Sequence, residues 1–122
     1  MGVTANLPRM RPLSARKSAI LSVLDVGTTK IVCLIARLDP IEPGQPSRGR
    51  THGCRILGIG HQRSRGMKAG QVVDMEEAET AIRLAVDAAE RMAGVQVDSI
   101  IVCASGGRIS SQHFQAKVAV GD

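Results

Sequence analysis

Two apolar runs separated by three residues constrain this chain more than anything else in it. Residues 19–26 read AILSVLDV and residues 30–38 read KIVCLIARL, with only Gly27, Thr28 and Thr29 between them. Each run is short, apolar and partly β-branched, which is the pattern of a buried strand. A connection this short leaves no room for a crossover, so the two strands must pair antiparallel as a hairpin.

The rest of the chain alternates in the same legible way. Asp39 to His52 carries Pro40, Pro43, Gly44, Pro46 and Gly49 and reads as a loop. Gly53 to Gln62 reads as a third strand, with Ile56, Leu57 and Ile59 as its apolar residues, and Ser64 to Val73 as a connection shaped by Gly66 and Gly70. Asp74 is a good N-cap, and Glu77 three residues later completes an Asp-x-x-Glu arrangement like a capping box. Ala78, Ala81, Ile82, Ala85, Ala89 and Met92 then recur at helical spacing, and Gly94 marks the stop. Met75 and Met92 are expected in the core, and the small alanines predict close packing on a sheet. Asp98 to Ala104 reads as a fourth strand, Ser105-Gly106-Gly107 as a turn, and Ile109 to Val120 as a fifth strand. The order β-β-β-α-β-β places the chain in the α/β class, with residues 1–18 as a flexible basic tail.

Composition narrows the functions open to such a fold. Phe114 is the only aromatic residue, so the core is aliphatic. The formal net charge of +5 allows a phosphate-bearing partner. Binding of nucleic acid is not expected, because the aromatic platforms that stack single-stranded bases are missing. Cys33, Cys54 and Cys103 show no zinc-type spacing and read as reduced thiols of a cytoplasmic protein. Cys33 and Cys103 lie in apolar runs and are expected to be buried. His52, His61 and His113 are too scattered for a metal site. No apolar stretch reaches the ~20 residues that span a bilayer, and the run ended by Asp25 does not read as a signal peptide.

Chemistry concentrates in Asp25-Val26-Gly27-Thr28-Thr29-Lys30. A tight turn with inward-pointing N–H groups cradles phosphate. Gly27 removes the Cβ that would hold a ligand off, Thr28 and Thr29 add hydroxyls, and Lys30 adds a point charge suited to phosphate. Asp25 is suited to hold the waters of a Mg²⁺ ion, which keeps several waters and takes few carboxylates. Neither a GxxxxGK[ST] loop nor a GxGxxG turn is present.

This hairpin resembles the first phosphate loop of the actin, Hsp70 and sugar-kinase superfamily, which opens on paired strands around an Asp-x-Gly-[Thr/Ser] turn. Four further stretches are similar to the bacterial FtsA family of cell-division proteins: Gly58-Ile59-Gly60, the run Ser64-Arg65-Gly66-Met67-Lys68-Ala69-Gly70-Gln71-Val72-Val73-Asp74, the helical Ala88-Ala89-Glu90 with Met92-Ala93, and Val102-Cys103-Ala104-Ser105-Gly106-Gly107-Arg108-Ile109-Ser110. The resemblance covers about residues 19–122 and implies a partial actin-like (ribonuclease H-like) ATPase domain. It implies a subdomain over 19–97 that carries the phosphate loop, and a family-specific inserted subdomain starting at 98 and cut off at 122.

It further implies ATP and Mg²⁺ as cofactors in the full-length parent, with Asp25, Gly27, Thr28, Thr29 and Lys30 at the phosphates and Asp25 at the metal through water. Self-association into polymers and linkage of the tubulin-like FtsZ ring to the cytoplasmic face of the inner membrane come with the family. The second phosphate loop, the adenosine segment and the membrane-binding C-terminal helix of that pattern are not in these residues. The chain is therefore expected to be a structural assembly protein, and not to hydrolyse ATP by itself. A fragment of a sugar or acetate kinase, or of an Hsp70-like ATPase, is the alternative within the same superfamily.

Overall fold

Strand β1 (Ala19–Val26) and strand β2 (Lys30–Pro40) form the hairpin, in register from Ala19↔Leu38 to Val26↔Ile31. The computed structural model that shows this describes residues 11–104, 110, 112 and 116–121. Strand β3 (His52–Arg63) pairs antiparallel with the other edge of β2, from Pro40↔His52 to Lys30↔Arg63. One bulge interrupts this ladder: Ile35 faces Gly58 and Ala36 faces Ile56, which leaves Leu57 as the extra residue. The β2–β3 ladder runs past the expected strand ends. Pro40 is tolerated at the end of a central strand because the β1 ladder has already stopped at Leu38.

Strands β4 (Met67–Lys68) and β5 (Gln71–Val72) make a small separate hairpin within the expected 64–73 connection. Helix α1 (Met75–Ala93) follows, capped as its ends predict. The Asp74 side chain accepts a hydrogen bond from the Glu77 N–H at 3.0 Å. Gly94, at φ 68°, gives its N–H to the Glu90 carbonyl at 2.8 Å. The Asp74 N–H donates to the Gly66 carbonyl at 3.1 Å, so the cap ties the helix back to the loop that precedes it.

Strand β6 (Ile101–Ala104) lies parallel to β1, from Val23↔Ile101 to Val26↔Ala104, giving the sheet order β3-β2-β1-β6. One edge of β1 is occupied by β2, and the other needs a partner for its backbone groups. Residues 101–104 supply that partner and belong to the first sheet. Much of the fifth strand expected at 109–120 falls outside the described residues, and residues 117–120 within them form no strand.

The core lies between one face of the sheet and α1. Leu24, Ile31, Cys33 and Ile35 meet Ala81, Ala85 and Ala89 there. Gly58 and Gly60 of β3 lie so close under the helix that a Cβ on either would collide with α1 backbone. Only small side chains fit such a contact, which accounts for the alanine stripe. The expectation that Met75 and Met92 join the core is not met: they flank the stripe at the two ends of the helix and are 69% and 66% exposed. Cys33 is buried as expected, whereas Cys103, on the edge strand, is exposed. Glu90 secures the exit from α1 by accepting the Val97 N–H at 2.7 Å. The opposite face of the sheet carries half-buried Val23, Val32 and Leu34 and exposed Ile59. Helix α1 is not long and apolar enough to cross a membrane.

Candidate functional site: the tip of the first hairpin

The turn is closed by the Gly27 N–H, which donates to the Lys30 carbonyl at 3.0 Å. A Cβ on Gly27 would stand 2.8 Å from that same oxygen, closer than such contacts allow. The turn itself therefore demands glycine here, quite apart from any ligand. Asp25 lies between Leu24, which is buried in the core, and Val26, which packs against it, so its side chain leaves the opposite face of the sheet. It is exposed and makes no hydrogen bond or ion pair with a described residue. Thr28, Thr29 and Lys30 are exposed at the tip. Asp25 registers with Val32, two residues along β2 from Lys30, so the carboxylate and the ammonium leave the same face.

The structure adds contacts that the sequence did not suggest. The connection between β3 and α1 grips the tip at two points. The Ser64 N–H donates to the Thr29 carbonyl at 3.0 Å, and the Gly70 N–H donates to Thr28 Oγ1 at 2.8 Å. Gly70 reaches Thr28 because Ala69 and Gly70 form the turn of the β4–β5 hairpin, both left-handed with φ of 49° and 76°. Two successive positive φ values are the geometry of a mirror-image hairpin turn. Gly at the second position was a readable signal for it. Ala at the first was not, since such turns favour Asn, Asp or Gly. Ser64 Oγ is buried beside this junction with no partner among the described residues. Arg65 and Lys68 are exposed, as expected of solvated side chains.

A threonine hydroxyl has one donor hydrogen and two acceptor lone pairs. The Gly70 N–H takes a lone pair, and no acceptor among the described residues takes the hydrogen. Thr28 is thus set up to donate, as it must toward a phosphate oxygen. Lys30 adds positive charge beside it. Asp25 on the same face would repel a bare anion and is itself suited to a hydrated cation. A single free carboxylate suits Mg²⁺ held through its waters, and no group of three potential metal-ligating residues occurs among the described residues.

The other hollows do not compete with this site. One of about 680 Å³ lies at the far end of β1 around Lys17, Ala19, Ile20 and Leu38. Near it, Asp39 accepts from Ser18 Oγ and Arg37 Nε, both at 2.8 Å, and His52 Nε2 lies 2.8 Å from the Lys17 carbonyl. These bonds anchor the end of the basic tail, and they hold the Asp39 carboxyl below its ordinary pKa, the Ser18 bond most and the Arg37 bond next. A second hollow of about 370 Å³, lined by Val26, Met67, Val72, Met75 and Ile82, is apolar and lies behind the tip.

No family model matches the chain. Its sequence is 54% identical over 115 residues to the cell division protein FtsA of Agrobacterium fabrum, covering 94% of this chain and 26% of that protein. The FtsA of Rhizobium meliloti is 50% identical over the same length and shares, and that of Escherichia coli K12 is 32% identical over 99 residues, covering 81% and 21%. The chain is a homologue of the FtsA cell-division proteins. It spans about a quarter of the length of the relatives it matches. A match over 115 residues of a 122-residue chain has to include both the 25–30 hairpin and the 64–74 loop that grips it. The likeness to FtsA therefore extends across the whole candidate site, and the mixed α/β sheet fits part of an actin-like domain.

Proposed function

We propose that this chain carries the first phosphate-holding hairpin of an actin-like, ATP-binding cell-division protein. The observation that carries the reading is 54% identity to a protein named for cell division, across a stretch that includes Asp25 to Lys30. In the whole protein, Gly27 shapes the turn, Thr28, Thr29 and Lys30 meet the phosphates, and Asp25 holds water-bound Mg²⁺. One hairpin is one jaw of a nucleotide cleft, so the chain alone is not expected to hydrolyse ATP. The role is assembly rather than turnover: self-association into actin-like polymers, attachment to FtsZ, and placement at the cytoplasmic face of the inner membrane through a helix outside these residues.

The test is calorimetric titration of the whole protein with Mg-ATP. Asp25→Asn removes the charge that holds the hydrated metal and is expected to weaken binding about tenfold, an effect of ~1.4 kcal/mol. The Asp25 side chain is exposed and bonds to no described residue, so the substitution leaves the fold intact. Equal affinity of Asp25→Asn and the parent would rule the assignment out.

A further inference from the structure

The register of the sheet places Lys30 and Arg63 directly opposite each other at the hairpin end of β2 and β3. Cross-strand partners stand side by side on the same face of a sheet, and like charges in that position repel. Neither side chain forms an ion pair with a described residue. The backbone at Arg63 is tied to the tip, because the next residue, Ser64, donates its N–H to the carbonyl of Thr29. His61 shares this face, opposite Val32, while Asp25, likewise opposite Val32 on the β1 side, supplies a carboxylate there. Two cations held abreast beside an anion-cradling turn call for an anion that both can reach.

We propose that Arg63 is a second cationic contact for the nucleotide polyphosphate, acting with Lys30. The proposal rests on the phosphate-holding reading of the hairpin. The chemistry suits the residue: a guanidinium presents a planar fork that meets two phosphate oxygens at once, whereas Lys30 contributes a point charge. It also divides the labour at the tip. Thr28 donates from the turn, Lys30 and Arg63 flank the phosphates from the strands, and Asp25 faces the metal.

The experiment titrates the whole protein with Mg-ATP and, separately, with magnesium-bound inorganic triphosphate. Arg63→Gln is expected to weaken both ligands about tenfold, and Arg63→Lys, which keeps the charge, by about threefold or less. Arg65→Gln, two residues on and beside Glu76 and Glu77, serves as the control and is expected to leave both affinities unchanged. Arg63 is exposed, so unchanged melting of Arg63→Gln checks the fold. Full affinity in Arg63→Gln, or an equal loss in Arg65→Gln, would overturn the role of Arg63 while leaving the hairpin assignment standing. Absence of Mg-ATP binding by the parent protein would overturn the hairpin assignment and this proposal with it.

Discussion

Gly60 lies directly beneath Ala85: a Cβ on Gly60 would stand 2.7 Å from the carbonyl carbon of Ala85 and 3.1 Å from the amide nitrogen of Ala89. The helix rests on β3 at backbone distance, and the alanines at 81, 85 and 89 are the other half of that fit. Even one methyl group forces α1 away from the sheet and opens the core around Cys33 and Ile35. Gly60→Ala is expected to cost about 1–3 kcal/mol, the usual penalty of overpacking, read as a fall in the urea midpoint of the chain. Gly53→Ala in the same strand is the control. Its added carbon meets nothing closer than the Asp39 carbonyl oxygen at 4.0 Å, so its midpoint should stay near that of the parent.

Gly27 matters for a different reason than phosphate access alone. Because an added Cβ would meet the Lys30 carbonyl at 2.8 Å, Gly27→Val breaks the closing bond of the hairpin whether or not a nucleotide is present. The expected loss is about 1–3 kcal/mol in urea unfolding without ligand. A variant with full stability and weakened nucleotide binding would show that the crowding falls on the ligand instead. The same geometry makes Asp25→Asn the cleaner probe of the site.

How much of this was legible in the sequence depends on the range of the interaction. The β1–β2 hairpin was readable because two apolar runs and a three-residue gap are local facts. The ends of α1 were readable because Asp74 and Gly94 act within one turn of the helix. The pairing of β6 with β1 was not: it joins residues about eighty positions apart, and IVCA carries no mark of its neighbour. For the same reason Arg63 escaped notice, since only the register of β3 on β2 brings it to Lys30. Met75 and Met92 misled because helical periodicity gives the direction of a stripe but not how closely the helix approaches the sheet. Ala69 hid the β4–β5 turn by standing where Asn or Gly usually signals one.

The bond from the Gly70 N–H to Thr28 Oγ1 predicts that the hairpin tip and the 64–74 loop loosen together. Thr28→Val removes the acceptor at nearly constant volume, whereas Thr28→Ser keeps it. The loss expected in Thr28→Val is about 0.5–1.5 kcal/mol, the net value of one hydrogen bond. It should show as faster hydrogen exchange at the Gly70 amide, with exchange in Thr28→Ser near that of the parent. Equal exchange in all three proteins would mean that the loop holds itself without the hairpin.

Cys33 and the two exposed cysteines should separate by both accessibility and pH. Burial in the aliphatic core, with a smaller contribution from the Glu90 charge, raises the Cys33 thiol above its ordinary value of 9.0. Cys54 and Cys103 are exposed. Since the thiolate is the reacting form, iodoacetamide should modify Cys54 and Cys103 in the native chain. Cys33 should react more slowly by a factor on the order of 100, through opening of the core. The same shift acts on stability. The folded state holds the Cys33 proton more tightly than the unfolded state does, so this contribution is fully present below pH 9.0 and is lost as pH rises from there through the raised folded value. Urea midpoints followed upward from about pH 8 should fall less steeply in Cys33→Ala than in the parent, although Cys33→Ala starts lower because it leaves a small cavity. Parallel falls in the two proteins would assign the alkaline loss to other groups.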